Sequence, residues 1–185
     1  MKNMIFTTIF CAFCLNFWFS CASSGDKDIE SLSTELDITY TDANNSFSIK
    51  PPLDWSVKEK NDEWSFTPGV AEQESRNAKA RLVVQYIKVD SMHSPKEFRD
   101  FIEYEIEQSD NVKDYKILEY GGTPSNSYCT IIVNYDSPVG KSTHYFHNIL
   151  TGMGYFRISG SALSKHWQSV APLLKASIET FSLKQ

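Results

Sequence analysis

Four strand-like segments follow one another between Tyr115 and Gly160 with no room for a crossover. They read "YKILEY" (Tyr115–Tyr120), "SYCTIIVNY" (Ser127–Tyr135), "STHYFHNIL" (Ser142–Leu150) and "GYFRISG" (Gly154–Gly160). Each is rich in β-branched and aromatic residues, which suit a pleated, half-buried surface. A link between parallel neighbours takes a dozen or more residues. Here the links are of hairpin length and carry turn residues: Gly121-Gly122, then Pro138 with Gly140, then Thr151–Gly154. The chain must reverse at each, so the sheet is antiparallel.

The segments before this block extend the same pattern. "FSIK" (Phe47–Lys50) alternates like a strand and stops at Pro51-Pro52, which cannot donate ladder bonds. "WSVKEK" and "EWSFTP" read as a hairpin around Lys60-Asn61-Asp62. Gly69–Ala80 is polar and, by composition, the expected mobile loop. Arg81–Val89 is a strong strand. A helix then starts at Ser94 as N-cap, with Pro95 in the first helical position and Glu97 completing a capping box. Phe98, Phe101, Ile102 and Ile106 give it an apolar stripe. A closing helix covers about Ser169 to Phe181, with Ser169 as cap and Pro172 in its first turn. The fold class is α+β, an antiparallel β-sheet flanked by helices.

The first 20 residues stand apart from this pattern. Lys2 is their one charge, and Met4 to Phe19 is an apolar run of 16 residues, short for a membrane span of about 20 and suited to a signal-peptide core. Two cleavage sites fit. Cleavage after Ala22 would use Ser20 and Ala22 as the small residues and release a soluble chain. Cleavage before Cys21 would make that cysteine the lipidated N-terminus, and "WFSC" (Trp18–Cys21) resembles a lipobox. The tail that follows, "ASSGDKDIESLSTEL", has the Ser/Gly/Asp-rich composition of a flexible tether. The chain thus divides into a signal peptide (1–20), a lipidated N-terminus and tether (21–37) and one domain (38–185). The expected setting is a bacterial cell envelope, lipid-anchored to the membrane at its periplasmic face or at the cell surface.

Charge and cysteine content narrow the partners. Without the leader, 17 basic residues stand against 23 acidic ones, a net −6, with no basic cluster. Nucleic acid needs a concentrated basic footprint, so it is excluded as a partner. Cys11 and Cys14 leave with the leader. Cys21 at the tip of a tether has little reason to pair with Cys129, so the domain must be held by its core alone.

Read in order, "FSIKPPLDW", "VVQYIKVDSMHSPKEF", the strand pair around "GGTPSNSY", "YFRISG" and a closing "SIETF" resemble the PsbP-like fold family, from Phe47 to Phe181. Asp54 stands where that family often has Gly, and Asp tolerates turn geometry. The resemblance extends to DcrB-like bacterial lipoproteins. It implies an α/β/α sandwich and carries no shared catalytic residues with it. Function must come from a site rather than from the fold.

Each chemically suggestive residue has a plain alternative. His144 and His147 lie three apart on a strand, so they point to opposite faces and cannot share a metal ion. Gly140-Lys141-Ser142 lacks the preceding Gly of a phosphate loop, since Tyr135 stands there. Ser159-Gly160-Ser161 lacks the Gly that a nucleophile elbow needs at Arg157. Cys129 alternates with Ile131 and Val133, as a buried thiol would. Asp100, Glu103 and Glu107 share a helix face, as a solvated surface or a dock for a basic partner. Trp55, Trp64 and Trp167 belong mostly to the core, although Trp64 and Phe66 alternate in a way that could line an apolar groove. No catalytic, cofactor or metal residue emerges; Cys21 is the one assigned site. The expected function is that of a non-enzymatic, membrane-anchored accessory protein that binds a protein partner. The alternative is a periplasmic carrier of a small ligand or metal.

Overall fold

The computed structural model describes residues 36–44, 46–68, 80–89, 92, 94–137, 140–152 and 154–184. The leader, Cys21, most of the tether, the Gly69–Ala80 loop apart from its buried last residue, and Pro138 lie outside these. Leu36, two residues before the expected start of the domain, is already buried.

Among the described residues, ten strands and two α-helices follow in chain order. They are β1 (Tyr40–Thr41), β2 (Phe47–Ile49), β3 (Ser56–Lys60), β4 (Glu63–Thr67), β5 (Arg81–Lys88), α1 (Pro95–Glu107), β6 (Val112–Thr123), β7 (Asn126–Ser137), β8 (Gly140–Thr151), β9 (Gly154–Leu163), α2 (Trp167–Glu179) and β10 (Ser182–Leu183). One antiparallel sheet runs β3-β4-β5-β9-β8-β7-β6, and a smaller one runs β1-β2-β10.

Local chemistry accounts for most boundaries. Asn61 and Asp62 both take positive φ, 50° and 60°, the pair that a two-residue hairpin turn requires. Asp54 also takes positive φ, 62°, at the position where the resembled family often has Gly. The Ser94 side chain accepts from the Glu97 amide at 3.1 Å and caps α1.

Three expectations are corrected. Gly121 and Gly122 do not turn the chain; β6 continues through them and the reversal falls at Pro124-Ser125. The glycines are needed for close approach. A Cβ on Gly121 would stand 3.1 Å from the Tyr128 hydroxyl oxygen, and one on Gly122, where φ is 100°, would meet the Asn126 carbonyl. Ser169 is not the cap of α2. A 3₁₀ turn at Ser164–His166 runs straight into that helix, and the Ser169 hydroxyl donates back to the His166 carbonyl at 2.8 Å. Pro172 therefore lies inside α2. It is exposed, as is Gln168 one turn earlier, so the carbonyl it cannot serve is on the solvent side. The chain also continues past the helix as β10, which pairs with β2.

The two helices cover opposite faces at different places along the sheet. α1 lays Phe98, Ile102 and Ile106 on Cys129, Ile131 and Val133 of β7, with Phe146 and Leu150 of β8 and Tyr155 of β9. α2 lays Val170, Leu174 and Ile178 on the other face, over β9 and the adjoining part of β8, in one core with Ile158 and Phe156 of β9 and Leu82 and Val84 of β5. Gly160 makes this contact close, since a Cβ there would stand 2.8 Å from the Leu174 Cβ. Phe47 and Ile49 of the small sheet complete that core, with Phe47 edge-on to Trp64 at 4.8 Å. On the α2 side, no helix among the described residues lies over β6, β7 and the outer part of β8.

Candidate functional site: an open groove on the uncovered half of the sheet

The uncovered region follows from strand parity. Along β8, residues 142 to 150 with even numbers face α1, and Thr143, Tyr145, His147 and Ile149 face the α2 side. His144 and His147 thus stand on opposite faces, as their spacing requires.

His147 stands at one end of a row that crosses β8, β7 and β6. Its register partner on β7 is Thr130, whose own partner on β6 is Glu119. The buried Thr130 hydroxyl lies 2.8 Å from His147 Nδ1 and 3.3 Å from Glu119 Oε1. When that hydroxyl donates to Glu119, His147 donates Nδ1–H to it and keeps its lone pair on Nε2. Burial pushes the His147 imidazole down from its ordinary value, against the upward pull of Glu119 and Glu179. The ring is therefore uncharged at neutral pH. The next row is Gly121, Tyr128 and Ile149, with the Tyr128 ring lying over the bare glycine. Together these rows form an open groove of about 390 Å³ lined by Glu119, Gly122, Asn126, Tyr128, His147 and Ile149. It mixes one carboxylate, an amide and a neutral imidazole with an aromatic and aliphatic floor. Such a surface can hold a protruding side chain; it places no Ser or Cys beside a base.

The other sequence candidates lie elsewhere. His144 faces the α1 side, with its Nε2 3.1 Å from the Ser142 hydroxyl. Burial, with Arg81 adding to it, lowers its pKa to about 4. So weak a proton acceptor is poorly matched to activating a serine at neutral pH. Cys129 is fully buried and its thiol is pushed up to about 11 by burial, which keeps it a packing residue. Ser159-Gly160-Ser161 is the middle of β9, and Lys141-Ser142 opens β8. The acidic face of α1 is largely met by its own neighbours. Asp100 pairs with Lys96 at 2.7 Å and with Arg99, Glu103 pairs with Arg99 at 3.4 Å, and Glu107 accepts from the Tyr115 hydroxyl at 2.6 Å. Trp64 and Phe66 line no groove; both are buried under the small sheet and α2. Among the described residues no group of three or more His, Cys, Asp or Glu stands close enough to hold a metal ion, and no helix is long and apolar enough to cross a membrane. Cys21 lies outside the described residues.

Sequence reasoning missed Glu119, Tyr128 and Asn126. The outer face of Ser127–Tyr135 carried the signal. Tyr128 and Thr130 alternate with the apolar Cys129 and Ile131, which marks a face that is not all core.

No protein-family description and no curated protein matches the chain by sequence. Solved structures do match in fold. Cyanobacterial PsbP from Synechocystis sp. PCC 6803 superposes with a TM-score of 0.57 at 11% identity, covering 80% of this chain and 92% of that one. The Saccharomyces cerevisiae Ran-binding protein Mog1p gives 0.54 at 9% identity, covering 79% and 94%. LpqN of Mycobacterium tuberculosis, described as involved in cell envelope biogenesis, gives 0.50 at 11% identity, covering 80% and 90%. The chain has the PsbP-like fold, an antiparallel α+β sandwich.

Proposed function

We propose that the chain is a non-enzymatic, partner-binding protein of the cell envelope, held at a membrane by an acyl anchor on Cys21. The observation that carries this reading is the half of the sheet beside α2 that no helix among the described residues covers. There the fold leaves an amphipathic groove whose side chains suit contact rather than bond-breaking. The apolar leader, the lipobox-like "WFSC" and the polar tail support export and anchoring. The description of LpqN supports an envelope setting, and that of Mog1p supports the use of such a sandwich as a binding module. The openness of the groove favours a protruding protein segment over an enclosed small ligand or metal ion.

In-cell photo-crosslinking tests this. A photoreactive amino acid replacing Ile149 should give one discrete adduct to a second protein. The same residue at Lys58, on the exposed strand β3 at the far edge of the sheet, should not. No adduct at position 149, or the same pattern from both positions, would overturn the reading.

A further inference from the structure

We infer that the groove beside His147 seats a basic side chain, an arginine or a lysine, carried by the protein partner. This rests on the partner-binding reading above and adds the chemistry of what is bound.

Charge is the first ground. Of the six lining residues, Glu119 has the only carboxylate and none is a Lys or Arg. Glu179 of α2 adds a second carboxylate whose field reaches both His147 and Tyr145. Among the described residues, Lys175 and Lys116 stand nearby but outside the lining. Lys175 lies over the Tyr145 ring, 5.1 Å from its centre, and Lys116 of β6 is opposite Ile132 of β7. An acidic segment would meet like charge here, and the −6 balance of the exported chain opposes it further.

Shape is the second ground. Tyr128 lies across Gly121 and pairs with Ile149, so an aromatic and an aliphatic surface adjoin one row away from Glu119. Two residues along a strand span roughly 7 Å, about the reach of a Lys or Arg stem. Such a stem covers apolar surface while its head stays polar. The stem fits along Tyr128 and Ile149, and the head meets the carboxylate at the end of that path. The face of Tyr128 adds a cation–π contact.

Pre-organisation is the third ground. Glu119 is held at Oε1 by Thr130, and Thr130 is fully buried and in contact with His147. A carboxylate already fixed in place loses less freedom when it takes a cation.

NMR titration of the full chain in detergent micelles tests the inference, following the Ile149 methyl and His147 ring signals. The probes are the blocked tripeptides Ala-Arg-Ala, Ala-norleucine-Ala and Ala-Glu-Ala. The arginine probe should shift both signals saturably, with a dissociation constant on the order of 1 mM, as one exposed charge pair and one stem allow. The norleucine probe should bind about fivefold more weakly, and the glutamate probe should leave the signals in place. Glu119→Gln keeps the side chain's shape. It should remove the arginine preference and leave norleucine binding and the unfolding midpoint unchanged. Equal binding of arginine and norleucine, no effect of E119Q, or binding that appears only after residues 22–35 are deleted would overturn the inference; the last result would make the chain's own N-terminal segment the occupant. Any of these alongside a discrete adduct at position 149 removes the basic side chain and leaves partner binding standing. Loss of the adduct as well removes both.

Discussion

The Tyr155 hydroxyl donates to a carboxylate oxygen of Glu105 across 2.5 Å, joining two residues fifty positions apart. Arg157 Nη2 donates to the same oxygen at 2.9 Å, and Arg157 Nε donates to Asn148 Oδ1 at 2.9 Å. Asn148, fully buried, passes the chain on by donating to the Cys129 carbonyl at 3.0 Å. This network fastens α1 to β7, β8 and β9 on the face opposite the groove.

Tyr155→Phe should therefore cost about 1–2 kcal/mol of stability, the range of a charge-assisted hydrogen bond shared with a partly exposed carboxylate. A double-mutant cycle with Glu105→Gln should show coupling of about 1 kcal/mol in urea unfolding. Additive effects would mean the contact does not fasten the helix. Burial pushes the Tyr155 phenol above its ordinary 10.0, with the hydrogen bond to Glu105 acting in the same direction and Arg157 opposing both. A raised acid is stabilising below its unfolded value, so the wild type should lose stability as pH rises past 10. Y155F should lose less.

His144 predicts an acid-side loss. Its pKa is about 4 in the fold against 6.5 unfolded, because burial and Arg81 disfavour the imidazolium. The unfolded chain takes up this proton first as pH falls below 6.5. Stability should therefore be full above that value and decline until about pH 4. Urea midpoints measured across this window should fall for the wild type and stay flatter for His144→Gln.

Asp42 should set a second loss at lower pH. Its buried carboxylate accepts from the amides of Ser46 and Phe47 at 2.7 and 2.8 Å, from the Asn44 amide at 3.1 Å and from the Ser46 hydroxyl at 2.8 Å. Burial alone would raise its pKa, but these bonds outweigh it and hold it below the usual 3.8. Its contribution is present above the unfolded value and is lost as pH falls through the lower folded one. Asp42→Ala should cost about 2 kcal/mol or more at neutral pH, since it uncaps the turn into β2. An unchanged chemical-denaturation midpoint would count against this role.

What could be read from the sequence follows the range of the forces involved. The Ser94 cap, the Asn61-Asp62 turn and the opposite faces of His144 and His147 are set by chemistry within a few residues, and each is found as expected. The Gly121-Gly122 reading failed because a glycine needed for a neighbour's ring looks the same in sequence as one needed for a turn. The cap of α2 failed for a related reason: the preceding 3₁₀ turn feeds the helix and takes the place of a side-chain cap. The groove depends on register. Thr130 falls opposite His147 once the turn between Ser137 and Gly140 is placed, but Glu119 reaches the same row only through a bulge between Ile117 and Glu119. That extra residue breaks the alternation by which a strand face is recognised.

The account depends on the sandwich working at a membrane face, and metabolic labelling with radioactive palmitate tests that most directly. Label should enter the wild-type chain, be absent from Cys21→Ala, and move with the membrane fraction. Mature protein without label, equal label in both chains, or a leader still attached to the accumulated product would contradict it.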